Sequence, residues 1–357
     1  MAAVSHLSVL LTVLLYLTAS IAKPSVPRAG QSAARVGSVG SVGTSNLRQA
    51  LAASPRMPFF PEGAEAADGA EGGALSGRGR AKRTSGAIPI TECTFVYTEE
   101  GDFYLDYEGD PTKVCGAMFL APANQRVQLR LTLDVPCSTG GMVSVTDGWD
   151  YQNQYLPMAQ DHPKPDSERH TTLCGVEHTQ AFESSQNAAQ VSYLLPTPAR
   201  FAVSVRHVRN PTPCSVMLGD SEVVTLRNFG KRRNCSVTTI YPSVVRILQL
   251  QVGVNEKHPN MEPETGTIHK CEKRGLEDYV QVAGLGMATE LAGPETVFGS
   301  VCGLDTSAGR PMSILCGALN VRLVSSGRYD NAVTVFVKRM ETEEEMLSAD
   351  FFCDAEL

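Results

Sequence analysis

The stretch Val127-Gln-Leu-Arg-Leu-Thr-Leu-Asp-Val135 alternates apolar and polar residues without exception. This period of two predicts a β-strand with one buried face. Farther on, Val143-Ser-Val-Thr146 alternates again and stops at the turn dipeptide Asp147-Gly148, which precedes Trp149, the only tryptophan of the chain. Because aromatic rings bury large areas, we favour a Trp149 ring packed over the sheet edge; the alternative is an exposed ligand contact.

Strand patterns continue from Thr84 almost to the end of the chain. Turn clusters such as Gly140-Gly141 and Gly219-Asp220 separate short runs, a spacing typical of β-sandwiches. The one plausible helix spans residues 341–347, where an acidic start suits a helix N-terminus. The fold class is therefore predicted to be all-β. Further strands are predicted at residues 201–205, 223–226, 236–240, 244–252, 278–282, 319–323 and 333–337.

This strand-rich region contains a weak internal repeat. The first half runs from Asp147-Gly148 through Cys174-Gly175 and Ser184-Ser-Gln-Asn187 to the strand at 201–205. The second runs from Asp278 through Cys302-Gly303 and Ser325-Ser-Gly-Arg-Tyr-Asp-Asn331 to the strand at 333–337. Two copies of one sandwich explain this pattern better than one large domain. We place the join at Asn210-Pro-Thr-Pro213, a stiff extended linker, which gives domains at residues 84–210 and 211–357.

The N-terminus is typical of a secreted protein. Residues 7–18 form an apolar core too short to span a bilayer, and Ser20-Ile-Ala22 supplies the small residues that a signal peptidase needs. Residues 1–22 are therefore predicted to be a signal peptide cut after Ala22. No other stretch reaches the roughly 18 apolar residues of a transmembrane helix. We expect an extracellular protein without membrane insertion.

Residues 23–83 are rich in Ala, Gly, Ser and Pro and contain no cysteine. Such a segment cannot bury enough apolar surface to offset its ordering entropy, so we predict disorder. It ends in Gly77-Arg-Gly-Arg80-Ala-Lys82-Arg83, which matches the Arg-x-Lys-Arg pattern cut by secretory-pathway convertases. Two alternatives remain open for this segment: it is a propeptide removed after Arg83, or it is an intact, solvated basic linker.

Cysteine usage agrees with an oxidising compartment. The chain has ten cysteines, an even number, and no Cys-x-x-Cys pair, so a disulfide frame is favoured over zinc. We expect no metal site and no cofactor. The predicted disulfide cysteines are Cys93, Cys115, Cys137, Cys174, Cys214, Cys235, Cys271, Cys302, Cys316 and Cys353.

The net charge of −7 is unevenly distributed. Residues 84–357 hold 22 Lys and Arg against 34 Asp and Glu, a net charge of −12. A nucleic-acid partner is not expected, because it would need a basic face. A cationic partner would be steered favourably.

Several motifs identify a family. Cys-Gly followed by Ser-Ser and an alternating strand resembles CUB domains, which are two-sheet extracellular modules, over residues 93 to about 340. The chain more closely resembles the family of corticotropin-releasing factor-binding proteins. The stretches that carry this resemblance are Asp147-Gly-Trp149, Gln160-Asp-His-Pro163 with Ser167-Glu-Arg169, Arg233-Asn-Cys-Ser236 with Ile240-Tyr-Pro242, and Val321-Arg-Leu-Val-Ser-Ser-Gly327.

The family resemblance implies disulfides between neighbouring cysteines: 93–115, 137–174, 214–235, 271–302 and 316–353. Sequence alone leaves the connectivity open. Calcium-binding CUB domains place Tyr-Asp after their third cysteine, whereas this chain reads Cys137-Ser-Thr-Gly-Gly141. A calcium cage would lack that carboxylate ligand, so no structural calcium is expected.

Sequence signatures of hydrolases and nucleotide-binding enzymes are missing from this chain, and we expect no enzyme activity. His162 either titrates near neutrality or caps a turn, and we favour the turn. Asn234-Cys-Ser236 is the usable glycosylation sequon, because proline blocks the one at Asn210.

The resemblance implies a secreted protein that captures peptide hormones of the corticotropin-releasing factor or urocortin type and limits their access to receptors. Candidate peptide contacts are Trp149, Tyr151 and Tyr155, because aromatic residues stand there in a polar segment. Residues 84–92 are an equally possible site. The alternative function is a CUB-type extracellular adhesion or matrix module that binds a folded protein or glycan. The sequence leaves the oligomeric state open.

Overall fold

The computed structural model describes residues 86–151, 154–254, 266–286 and 295–353. By compactness the chain divides into residues 1–45 and 46–357, and every described residue belongs to the second unit. The signal peptide, the segment 23–83 and the processing positions Ala22 and Arg83 lie outside the described residues. Within the described ranges, no helix is long and apolar enough to cross a membrane.

The first half of the described chain forms two sheets around one apolar core. Strand β5 (Gln125–Val135) has the predicted alternation: Val127, Leu129, Leu131, Leu133 and Val135 are at most 1% exposed. One sheet has the order β1 (Ile88–Pro89), β3 (Gly101–Tyr107), β12 (Ala199–Arg209), β5 and β10 (Gly175–Glu183). The other has the order β2 (Thr94–Tyr97), β4 (Val114–Leu120), β11 (Ala188–Leu194), β6 (Met142–Asp147) and β9 (His170–Leu173).

The second half forms one eleven-stranded sheet whose two layers enclose a second core. Strand β19 (Thr296–Asp305) belongs to both layers, because its first part pairs with β18 (Tyr279–Leu285) and its end pairs with β16 (Ser243–Val252). One layer contains β13 (Ser215–Met217), β15 (Cys235–Thr239), β21 (Ala318–Val324) and β18 (Tyr279–Leu285). The other contains β14 (Glu222–Arg227), β22 (Ala332–Arg339), β16 (Ser243–Val252), β20 (Met312–Leu315) and β23 (Phe351–Phe352), while β17 (Gly266–His269) pairs with β19.

The two sandwiches repeat one topology, so the predicted all-β fold of two tandem sandwiches is confirmed. β2 runs parallel to β4 as β13 runs parallel to β15. β11 lies antiparallel between β4 and β6, as β21 lies between β15 and β18. The change of sandwich falls between Arg209 and Ser215, an interval that contains the predicted join at residues 210–213.

Five disulfides join neighbouring cysteines, in the order that the family resemblance implies. Cys93–Cys115 ties the start of β2 to β4, and Cys214–Cys235 ties β13 to β15 at the equivalent place. By the loop-entropy model, each bridge stabilises the fold by about 3 to 4 kcal/mol. The remaining bridges are Cys137–Cys174, Cys271–Cys302 and Cys316–Cys353.

Several strands that the alternation does not predict are buried on both faces. In β4, six consecutive residues are buried. Ala117 and Phe119 enter the first core, whereas Met118 and Leu120 point the other way, into an apolar cluster shared with the second sandwich. A strand covered on both sides has no reason to alternate. The sequence pattern of β4 is therefore a consequence of domain packing.

The short helix α1 (Glu343–Leu347) begins two residues later than predicted, because Thr342 caps it. The Glu345 amide donates to Thr342 Oγ1 at 3.2 Å, and the Glu345 carboxylate accepts from the Thr342 amide at 3.5 Å. This reciprocal capping box satisfies amide groups that the first turn leaves free.

Candidate functional site

The two sandwiches meet through an apolar cluster. Val96, Met118, Leu120, Trp149, Leu156 and Ala188 come from the first sandwich, and Met217, Ile240, Tyr241, Leu285 and Ala318 come from the second. Trp149 is 7% exposed within this cluster. The ring is therefore buried, as the favoured interpretation expected, although it packs between the sandwiches and not over a sheet edge.

A pair of hydrogen bonds fixes the junction beside this cluster. The Asn187 side chain donates to Met217 O and accepts from Met217 N, both at 2.8 Å. It also donates to Ala121 O at 2.9 Å. Asn187 is 2% exposed, so both amide atoms are satisfied by protein groups that water cannot reach.

A buried charge network forms the polar part of the same junction. Arg322 of β21 donates through Nε to Asp161 of the first sandwich at 2.6 Å, and through Nη1 to Gln281 at 2.7 Å and to Glu295 at 2.8 Å. The side chains of Arg322 and Asp161 are 5% and 0% exposed. Burial raises the pKa of Asp161, and the bonds from Arg322 and Asn320 oppose that rise. The two domains are thus held by a charged contact as well as an apolar one.

The two candidate tyrosines lie on a hairpin formed by β7 (Trp149–Tyr151) and β8 (Gln154–Leu156). Tyr151 is half-buried and packs against the shared cluster. The Tyr155 ring stacks on His170 at 6.5 Å and lies 5.3 Å from the Arg169 guanidinium. Both rings therefore take part in packing within the protein, and neither forms an open aromatic platform.

Arg169 is the residue that holds this hairpin, and the sequence interpretation assigned it no role. It is 1% exposed and donates to Asp147 O at 3.0 Å, Leu156 O at 2.9 Å and Pro157 O at 2.7 Å. A buried arginine that satisfies three carbonyl groups fixes the path of the chain between β6 and β9.

The remaining candidate stretch, residues 84–92, is described from Gly86. Ile88 and Pro89 form the edge strand β1, paired in parallel with β3. Ile90 is 5% exposed and joins the first core, whereas Ile88 is 38% exposed. Beside this strand lies a groove lined in part by Tyr104, Tyr107 and Tyr193.

The second sandwich contains an apolar cavity of about 380 Å³ between its layers. Its rim carries His269, Lys270, Asp305 and Arg310. Gly299 of β19 lines the cavity, and a Cβ added there would meet no atom within 4 Å. Sequence reasoning did not predict this cavity, because its lining residues come from strands far apart in the chain. The apolar lining residues are Ile247, Leu250, Val280, Val282, Phe298, Val301 and Met312.

The repeated Asp and Ser-Ser motifs form equivalent structural contacts. Asp147 accepts from the Ser185 amide at 2.7 Å and from Ser185 Oγ at 2.6 Å, while Asp278 accepts from the Ser326 amide at 3.0 Å and from Ser326 Oγ at 2.6 Å. Burial alone would raise the pKa of Asp147, but the His162 ring, whose Nε2 lies 3.5 Å from the carboxylate, and hydrogen bonds from Lys164 and Ser185 hold that pKa well below the ordinary value.

His162 is buried, and its Nδ1 accepts from the Lys164 amide at 3.1 Å in a local turn. Among residues that the structure describes, no group of three or more His, Cys, Asp or Glu side chains is placed to hold a metal ion. The expectation of no structural calcium stays a prediction.

Asn234, the glycosylation candidate, lies at the junction. Its Nδ2 donates to Gln160 O of the first sandwich at 3.2 Å. Ser236, the third residue of the sequon, is fully buried, and Cys235 is in a disulfide. The sequon is therefore recognisable to a glycosylating enzyme only before this region folds.

Two tandem β-sandwiches, stapled by five disulfides and joined through a buried interface, define a two-domain, disulfide-rich all-β protein. Models described as the corticotropin-releasing factor binding protein N-terminal domain and C-terminal domain match residues 90–209 and 220–346. The chain belongs to the corticotropin-releasing factor-binding protein family.

Individual relatives share about a quarter of their residues with this chain. A corticotropin-releasing factor-binding protein of Homo sapiens is 29% identical over 270 residues, which are 71% of this chain and 76% of the relative. One of Ovis aries is 26% identical over 280 residues, 76% of this chain and 83% of the relative. Among solved structures, the CUB1-EGF-CUB2 region of human MASP-1/3 matches with a TM-score of 0.23 and 13% identity, covering 67% of this chain and 99% of that one.

Proposed function

We propose that this protein is a secreted binding protein that captures peptide hormones of the corticotropin-releasing factor and urocortin type and limits their access to receptors. Family membership supports this proposal, because the relatives are named for binding corticotropin-releasing factor. Five disulfides are typical of proteins that mature in an oxidising, secretory compartment. The family description names binding and no catalysis, so we propose no enzymatic role.

The apolar cavity of the second sandwich is the binding site that we propose. A hormone peptide of this kind orders as an amphipathic helix and buries its apolar face in a groove as it binds. Ligand pockets typically enclose about 300 to 1,000 Å³, and this cavity encloses about 380 Å³. It is large enough for anchoring side chains, while the charged rim would contact the polar face of the helix. The observation that supports the cavity as the binding site is the open, apolar-lined space beside Gly299.

The competing positions are Tyr151 and Tyr155 on the hairpin and the stretch 84–92. The tyrosine rings already pack against Arg169, His170 and the shared cluster. A peptide would have to displace those contacts before it gained its own, which reduces the net free energy of binding. The cavity requires no such exchange.

The test fills the cavity without removing any existing contact. Gly299→Leu places a side chain in open space at a backbone position without a positive φ angle, so the fold should tolerate it. Nanomolar capture corresponds to about −12 kcal/mol. We expect isothermal titration with an amidated peptide of the corticotropin-releasing factor type to give nanomolar affinity for the wild type and at least tenfold weaker binding for Gly299→Leu.

Three further variants distinguish the competing sites. Tyr151→Ala and Tyr155→Ala test the hairpin, and Gly86→Leu places the same side chain at another glycine with no atom within 4 Å of its Cβ. We expect all three to bind like the wild type. If Gly299→Leu keeps full affinity and one of these three variants binds the peptide more weakly, the binding site lies at that variant's position and not in the cavity. No binding by the wild-type protein would reject the function itself.

A further inference from the structure

A polar cleft of about 620 Å³ lies at the junction of the sandwiches, on the side of Asn234, and we call it the arginine cleft. Gln160 of the first sandwich lines it together with Arg232, Arg233, Tyr279 and Arg328 of the second. Residues 84–357 carry a net charge of −12, so three guanidinium groups on one concave surface are not a consequence of overall composition. The cleft is therefore positive against an acidic background.

Two turns that form the cleft are fixed by buried hydrogen bonds. Asn228, which is fully buried, donates to Lys231 O at 3.1 Å and to Tyr329 O at 2.9 Å, and it accepts from the Asn331 amide at 2.8 Å. The turns also touch at Gly327, where an added Cβ would lie 2.8 Å from the Arg232 amide nitrogen. The backbone that carries the arginines is thus preorganised, which lowers the ordering entropy lost on binding a ligand.

The positive charge of the cleft is only partly compensated by protein groups. Arg328 forms an ion pair with Glu277, which also lines the cleft. Within the described ranges, Arg232 and Arg233 form no ion pair with a carboxylate. Two guanidinium charges on this surface therefore have no described carboxylate within ion-pair distance, and Glu277, which also lines the cleft, pairs with Arg328.

Arg233 is the least satisfied of the three arginines. Its Nε and one Nη are buried, and no protein group accepts a hydrogen bond from either. The guanidinium packs 5.3 Å from the Phe229 ring, and burial lowers the pKa of Arg233. Buried donors without acceptors destabilise a protein unless a ligand or solvent satisfies them. Arg233 also lines the cleft, so an acceptor bound there would lie beside these donors.

We propose that the arginine cleft binds a sulfate or phosphate oxyanion, with Arg233 as the bidentate donor and Arg232 as the second charge. The planar guanidinium fork matches two oxygens of such a group, and a charge-assisted pair of this kind is stronger than a neutral hydrogen bond. The anion is either a free inorganic ion or a sulfate group carried by an extracellular polysaccharide. This site is separate from the apolar cavity proposed for the peptide.

The test uses the full secreted protein at constant ionic strength, with chloride replaced by sulfate or by inorganic phosphate. We expect both anions to raise the melting temperature and to bind measurably by titration. Arg233→Gln should weaken binding at least tenfold, and Arg233→Lys should also weaken it because lysine lacks the fork. Arg200→Gln, an exposed arginine of the first sandwich paired with Asp134 at 2.9 Å, is the matched control and should bind like the wild type.

Two arms distinguish the sources of the anion. A polysaccharide is supported if a heparin-derived oligosaccharide binds at least tenfold more tightly than inorganic sulfate and if its binding is lost on desulfation. The free ion is supported if the oligosaccharide and inorganic sulfate bind with equal affinity. Should Arg233→Gln fail to fold, Arg232→Gln, at an exposed position, tests the same cleft. The proposal is overturned if sulfate and phosphate do not bind, or if binding is the same in the wild type and the cleft variants.

Discussion

Replacing Arg322 with methionine should destabilise the junction strongly. The substitution removes the cation from Asp161 and Glu295, whose side chains are 0% and 10% exposed, and also removes the donor to Gln281. Breaking a buried ion pair by removing one partner typically costs about 3 to 5 kcal/mol, because the other charge stays buried without compensation. Asn320 donates to both carboxylates, so we expect a loss at the lower end of that range.

Urea unfolding with the disulfides intact measures this loss, and the fluorescence of Trp149 reports it directly, because this tryptophan lies in the interface. The control Arg200→Met removes an exposed pair and should cost less than about 1 kcal/mol.

The pH dependence separates charge from packing. Burial already raises the pKa of Asp161 above its unfolded value of roughly 4, and the loss of Arg322 removes the hydrogen bond that opposes that rise. The penalty is then present at pH 7 and decreases as the pH falls through the raised pKa of Asp161. A loss below about 1 kcal/mol, or an equal loss at pH 7 and pH 5, would refute the reasoning.

Three other predictions concern single positions. Gly284→Ala should destabilise the protein by about 1 to 3 kcal/mol, measured by urea unfolding, because the new methyl group would overlap the Cys316–Cys353 bridge; unchanged stability would show that the bridge can move aside. Asp147 has a folded pKa below its unfolded value of roughly 3.9, so its contribution is present above that pH and is lost as the pH falls. The stability difference between wild type and Asp147→Asn should therefore shrink below about pH 4, and a constant difference from pH 7 to pH 3 would argue against ionisation as the cause. Mass spectrometry of secreted protein should show an N-linked glycan that Asn234→Gln removes; a wild-type chain without added mass at this peptide would contradict the assignment.

Local patterns predicted much of the fold. The alternation of Val127 to Val135 identified β5, and the repeated Asp, Cys-Gly and Ser-Ser motifs indicated two copies of one sandwich. These features are readable because each strand buries one face and because equivalent contacts, such as Asp147 with Ser185 and Asp278 with Ser326, need the same residues in both copies.

The sequence predicted the candidate site less well than it predicted the fold. Trp149 and the two tyrosines stand out in the sequence as aromatic residues among polar ones, yet the structure packs Trp149 between the domains. Composition cannot say which aromatic side chains face solvent, because that depends on elements distant in the chain. The apolar cavity is formed by β16, β18, β19 and β20, which no local window contains together.

The sequence by itself determined the fold class, the repeat and the cysteine set, because strand periodicity and residue identity are local properties. The tertiary structure alone decided that β4 is covered on both faces, that Asp161 meets Arg322 across 161 positions, and that three arginines share one cleft. These contacts arise only when two sandwiches are brought face to face. Burial and electrostatic pairing between distant segments depend on that docking, and neither produces a periodic pattern in the sequence.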